Sequence, residues 1–256
     1  MTRKMLVLGL LAMSLLAPGI QAQTAPAGTA KPAVSAVDPG SIQALKDMGA
    51  YLLTLKRFRV STEVTGERVL ADGQKLQHTA TAALDVNRPN KMHARLLSAR
   101  NERELVYDGK TFTFHSPAQK VYSTIEVIDT LGGLIDRLEE KFAVQLPLSD
   151  LFVFGTPAAQ FDKIESAMNA GQDFVDNDLC DHYAYRQGKI DWQIWITAGS
   201  KPLPRKIVIT NRADEARPQS VTFIDWNLKP TFTDSVFKFV PPKGASKIEM
   251  VPRKTK

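Results

Sequence analysis

Residues 176–242 read DNDLCDHYAYRQGKIDWQIWITAGSKPLPRKIVITNRADEARPQSVTFIDWNLKPTFTDSVFKFVPP, and their pattern decides the fold. Three runs alternate apolar with polar positions: Trp192-Ile194-Ile196, Ile207-Ile209 and Val221-Phe223. A period of two is that of a strand with one buried and one wet face. A Gly/Pro turn (Gly199, Pro202, Pro204) and a polar turn (Asn211 to Pro218) separate them, so the runs form an antiparallel meander. A last run, Phe237-Phe239, stops at Pro241-Pro242, where no ladder hydrogen bond can be donated.

The pieces CDHYAYRQ, DWQIWI, PLPRKIVIT, Asp225-Trp226 and FKFVPPKGA (Phe237 to Ala245), in this order and spacing, resemble domain-of-unknown-function family 2092, a family of predicted periplasmic proteins. The resemblance covers roughly residues 38–250. It implies the fold of the lipoprotein carriers LolA and LolB, a half-open antiparallel barrel with helices in its mouth. It implies a compartment too, but no reaction.

Upstream of the meander the same period of two recurs. Phe58-Val60-Thr62-Val64 alternates with polar residues, and a turn at residues 71–74 leads into a return strand from Leu76 to Val86. Shorter strands follow at Met92 to Leu97, Arg103 to Tyr107, Thr111 to His115 and Val121 to Ile125, with a tight turn at Asp108-Gly109-Lys110. Two segments break the pattern with helical spacing. Asp38-Pro39 supplies an N-cap and first-turn proline for a stripe of Ile42, Leu45, Met48, Leu52 and Leu55. Leu131, Leu134, Ile135, Leu138 and Phe142 form a second stripe within Ile128 to Phe142, capped by Asp129 or Thr130 and weakened by Gly132-Gly133. Leu148 to Phe154 reads as a short helix, Pro157 to Phe161 as one further turn, Ile164 to Ala170 leads into a strand, and the Gly171 to Asn177 region leads into the closing meander.

The architecture expected is α+β and mainly antiparallel: one strongly curved half-barrel sheet of about ten strands, with two or three helices on the concave side. It occupies residues 38–256 as a single domain. Before it, Arg3-Lys4, the apolar run Met5 to Leu16 and the stretch up to Ala22 read as a signal peptide over 1–22, too short to span a bilayer. Residues 23–37, rich in Ala, Pro, Thr and Gly, read as a flexible linker. A cleaved leader places the mature chain in the periplasm. Cys180 is the single cysteine, so the core rather than an internal disulfide must hold the fold. The net charge of +6 falls to +4 without the leader, which holds Arg3 and Lys4 and no acid. Bases and acids are interspersed, which argues against nucleic acid as a partner and leaves transient contact with a membrane surface open.

Cys180 and His182 are the one neighbourhood with reactive potential, since i and i+2 on a strand share a face. No further acid or histidine completes a triad, and His78, His93 and His115 lie on separate strands without ligand spacing. Neither a catalytic residue, a metal nor a cofactor is therefore assigned, and the chain is read as no enzyme. Trp192, Trp195 and Trp226 suit a sheet-on-helix core, and Asp225 suits an ion pair with Arg205. The function expected is binding or carrying of an apolar ligand, a lipid or an acylated protein, with an envelope protein as a further partner. Lining residues expected on the inner face are Leu45, Met48, Leu52, Phe58, Val60, Phe112, Phe114, Leu134, Leu138, Trp192, Ile194, Ile196 and Phe223. The alternatives are an envelope assembly protein with a filled core, and a Cys180–His182 hydrolase.

Overall fold

The computed structural model describes residues 36–142, 144, 146, 148–156 and 158–252. The expected leader, and the linker up to Ser35, lie outside the described residues. The chain runs α1 (Pro39–Thr54), β1 (Arg57–Val69), β2 (Lys75–Asn87), β3 (Lys91–Ser98), β4 (Asn101–Tyr107), β5 (Thr111–Ser116), β6 (Val121–Glu126), α2 (Leu131–Phe142), α3 (Asp150–Val153), β7 (Ser166–Val175), β8 (Asp178–Gln187), β9 (Ile190–Thr197), β10 (Pro204–Asn211), β11 (Gln219–Asn227) and β12 (Ser246–Lys247).

The strands form one sheet in the order β12-β6-β5-β4-β3-β2-β1-β11-β10-β9-β8-β7. It is two meanders, β1 to β6 and β7 to β11, joined where β1 pairs antiparallel with β11. The sheet does not close. Its two ends are nonetheless drawn round one apolar core, because Leu105 and Tyr107 of β4 and Ala167 and Tyr185 of β7 and β8 belong to the same buried cluster. This cluster also takes Leu45, Met48 and Leu52 of α1, Leu134 and Leu138 of α2, and Leu151 and Phe152 around α3. The helices therefore lie on the inner, concave side, as the apolar stripes require. Each edge of the sheet is paired over a short stretch, and most of β7 stays exposed. β12 pairs in parallel with β6. At the other edge Val37 bridges Ala167, and the Asp38 N–H donates to the Ala167 carbonyl at 2.9 Å. The last residues assigned to the linker thus belong to the sheet.

Local chemistry explains the helix starts. Asp38 caps α1 by accepting from the N–H groups of Gly40 and Ser41 at 3.3 and 2.8 Å. α2 begins at Leu131, three residues after Ile128, because Thr130 is its cap and accepts from the Gly133 N–H at 3.3 Å. The buried Tyr107 hydroxyl accepts from the Asp129 N–H at 3.0 Å and donates toward the carbonyls of Val127 and Asp129. These bonds tie residues 127–129 to β4 ahead of the helix, and Ile128 is left in solvent.

Three expectations need correction. Phe237-Phe239 is not a strand: a 3-10 turn spans Asp234–Phe237. The C-terminal segment crosses the outer face as a strap, with Phe237 buried and the Phe239 ring 5.3 Å from His115 and 5.2 Å from Tyr122. Of the turn expected at Pro157 to Phe161, Pro157 lies outside the described residues; the Ala159 N–H donates to the Thr156 carbonyl at 3.1 Å, and the 3-10 turn itself spans Phe161–Lys163. Phe223 is on the wrong face. Ile224 and Trp226 pack into the inner core, so Phe223, one residue away, points outward and is 41% exposed.

The outer face carries an ordered polar cluster of its own. Both oxygens of Glu104 are engaged, one by His93 Nε2 and one by His115 Nδ1, each at 2.9 Å. These bonds, the His93 one foremost, hold the Glu104 carboxyl down at about 2 against an ordinary 4.5. A folded-state value below the unfolded one means that the fold favours the ionised form. Its contribution is present above pH 4.5 and is lost as pH falls toward about 2. Because Glu104 is partly exposed, we expect on the order of 2 kcal/mol across that window. Denaturant titrations at pH 7 and pH 2 should show Glu104→Gln costing stability at the higher pH and little at the lower, with an intermediate cost at pH 3.

Candidate functional site

The inner face is packed almost throughout. Of the residues expected to line a cavity, Leu45, Met48, Leu52, Phe58, Val60, Phe112, Leu134, Leu138, Ile194 and Ile196 are buried core residues, and Phe114 is half-buried against them. The open space lies to one side, over the β9–β10 end of the sheet. Its floor is Ile190 and Trp192 of β9 with Ile207 and Ile209 of β10. Its roof is Val153 and Phe154 at the end of α3, then Ala158, Ala159, Gln160 and Phe161. Trp192 alone of the expected lining residues borders this cavity.

The volume is about 260 Å³. An apolar void of about 150 Å³ already admits a benzene ring, and small-molecule sites commonly reach about 300–1,000 Å³. The cavity therefore matches one slender apolar group better than a whole lipid. Two polar side chains, Gln160 and Gln187, stand among nine apolar ones. Gln187 Nε2 donates to the Gln160 carbonyl at 3.2 Å and ties the roof to β8. Phe154 and Phe161 stack with ring centres 6.2 Å apart, which closes the roof on itself. Below, Trp192 stacks on Tyr185 at 4.2 Å, and the Tyr185 hydroxyl donates to the Ser41 carbonyl at 2.8 Å. The floor is thus fixed to the start of α1. The roof rests on α1 through a backbone contact: a Cβ at Gly49 would lie 2.3 Å from the Gly155 nitrogen. Only glycine permits that approach.

Nothing periodic marks the roof residues, so sequence pattern does not single them out. Ile207 and Ile209 are legible as strand residues, and their alternation is the available signal that they share a face with Trp192.

The Cys180–His182 pair does not make a nucleophile. Cys180 is buried with Val175, Trp195 and Val208 in a small outer-face cluster. Burial, aided by the Asp178 charge, pushes its thiol up to about 11, so the reactive thiolate is scarce near neutral pH. The thiol contacts the Asp178 carbonyl at 3.5 Å. The His182 ring stacks flat on Trp195 at 4.0 Å, with Nε2 against Gln193 Oε1 at 3.0 Å. The histidines on separate strands meet in part: His93 and His115 share Glu104, while His78 lies against Gly66. The Arg205–Asp225 pair forms at 3.1 Å, and Arg205 also reaches Asp176 and Asp178.

The chain is thus an open, curved antiparallel sheet with helices inside and a small apolar cavity under the 153–161 segment. The chain belongs to the DUF2092 family, described as "Predicted periplasmic protein", which matches residues 41–251. No curated protein matches it in sequence. Among solved structures it is similar to an uncharacterized conserved protein of Thermus thermophilus, at 10% identity and TM-score 0.47, over 82% of this chain and 99% of that one. It is similar also to LprF of Mycobacterium bovis, at 14% identity and TM-score 0.44, over 82% and 99%. A LolA superfamily protein of Nitrosomonas europaea matches at 10% identity and TM-score 0.36, over 78% and 97%.

Proposed function

We propose that this protein binds an apolar ligand without catalysis, and carries it through the periplasm after its leader, residues 1–22, is removed. The single observation that carries this reading is the cavity of about 260 Å³ between the β9–β10 floor and the 153–161 roof. Its occupant is one acyl chain of a lipid or of an acylated protein. Burial supplies the affinity: about 0.8 kcal/mol per CH₂, or roughly 8 kcal/mol for ten carbons. Association itself costs about 4 kcal/mol or more, so the surplus favours exchangeable binding, as transfer between partners needs. The buried inner-face residues, from Leu45 to Ile196, hold the floor and roof in place, and Trp192 touches the ligand. Cys180, as a protonated buried thiol, serves packing.

Organic extraction of the protein purified from an envelope fraction, followed by mass spectrometry, tests the reading. A stoichiometric acyl-chain species is expected. A clean extract, combined with no uptake of a fluorescent fatty acid, would instead favour an assembly protein that needs no ligand.

A further inference from the structure

A second opening lies on the other side of α3. Phe152 borders it, while the next two residues, Val153 and Phe154, border the apolar cavity. This cleft has a volume of about 440 Å³ and is lined by Leu53, Lys56, Arg88, Phe152, Thr156 and the 130–132 start of α2, with Pro89 between. Its chemistry differs from that of the cavity. Two cations face it, and no carboxylate lines it among the described residues. The nearest acid in sequence, Asp129, already accepts from the Thr130 N–H at 2.7 Å.

Arg88 is the informative residue. Its guanidinium lies over the Phe152 ring, 5.2 Å from the centroid. Its Nε is buried and has no hydrogen-bond partner among the described residues. Burial is also the cause that lowers its pKa. A desolvated guanidinium without an anion is costly, and supplying the anion offsets that cost. The Arg88 backbone is fixed where it stands. Its main-chain N–H donates to the Lys56 carbonyl at 2.8 Å, and the Leu131 N–H donates to the Pro89 carbonyl at 2.9 Å. The backbones that carry the two cations and the start of α2 are therefore held together before any ligand arrives, and the Phe152 ring positions the Arg88 guanidinium.

We propose that this cleft binds an oxyanion, a carboxylate or a phosphate, through Arg88 and Lys56, and that the oxyanion is the head of the ligand. The inference rests on the apolar-ligand reading for the tail, and on the two cations alone for the head. A guanidinium pairs with such groups bidentately, and a lysine adds a point charge. The exposed Leu53 and the Phe152 ring beside them suit the first carbons below the head.

Titration calorimetry of the purified protein with dodecyl phosphate, dodecanol and inorganic phosphate tests the assignment. Dodecyl phosphate should bind about tenfold tighter than dodecanol, the size of effect a charge-assisted hydrogen bond gives. Arg88→Gln should remove that preference and leave dodecanol binding unchanged. Lys56→Gln, at an exposed position, should weaken it severalfold, and it carries the same test if Arg88→Gln melts early. Competition by inorganic phosphate that depends on Arg88, with no dodecanol binding, would keep the oxyanion site, assign it to free phosphate and remove the apolar-ligand reading. Equal affinity for dodecyl phosphate and dodecanol in the native protein, with Arg88→Gln and Lys56→Gln without effect, would overturn the site while leaving the apolar cavity standing.

Discussion

Gly49→Ala should lower stability by about 3 kcal/mol, the upper end for forcing one carbon into a packed interior. In a domain of this size that corresponds to a melting temperature roughly 6–12 °C lower. The reason is what the new Cβ would meet: the Gly155 nitrogen at 2.3 Å, the Gly155 Cα at 2.7 Å and the Phe154 carbonyl carbon at 2.8 Å. All three atoms are backbone, so no side chain can rotate away. Either α1 or the roof must move, and the roof is the shorter and less buried of the two. We expect the displaced roof to cost ligand uptake as well as stability. Gly132→Ala is the matched control. Its Cβ would meet only the Thr130 Oγ1, at 3.9 Å, so it should stabilise α2 by up to about 1 kcal/mol through helix propensity. Thermal melts of the two variants should move in opposite directions. Equal shifts would mean that the α1–roof contact does not hold the two segments together.

Phe58→Ala should cost about 3–5 kcal/mol, whereas Phe223→Ala should cost about 1 kcal/mol or less. Phe58 is 2% exposed, sits on the central strand β1 and packs 5.6 Å from the Trp226 ring. Phe223 lies three strand positions from Trp226 on β11 but on the other face, where its main partner is the Lys206 ammonium 5.2 Å above the ring. Denaturant midpoints of the two variants measure the difference. Similar losses would show that Phe223 is as well packed as Phe58, and so that the assignment of faces is mistaken.

That pair also shows what the sequence could and could not disclose. The meander, the capping of α1 by Asp38 and the Arg205–Asp225 pair all follow from local spacing, and all are present. The face of β11 does not. Val221, Phe223, Ile224 and Trp226 put apolar groups on both sides, so a period of two names two faces without saying which is inner. A bulge between Pro204 and Lys206 also changes the phase from β9 to β10. The outer side carries aromatic groups of its own because a stacked row of His182, Trp195, Lys206 and Phe223 runs across neighbouring strands there. The strap at Phe237 and Phe239 has the same origin. Its aromatics alternate because they pack on that outer face, not because the backbone is a strand. The cavity was the least legible feature. Its floor is strand pattern, but its roof depends on Gly49 meeting Gly155, a contact between distant segments that no local period encodes.

The most direct test of an acyl chain in this cavity is the methyl NMR spectrum of isoleucine-labelled protein titrated with dodecanol. Saturable shifts are expected at Ile190, Ile207 and Ile209, which line the floor, with Ile135 of α2 unmoved. Unchanged floor methyls at saturating dodecanol, or shifts confined to exposed residues such as Ile128 and Ile248, would contradict it.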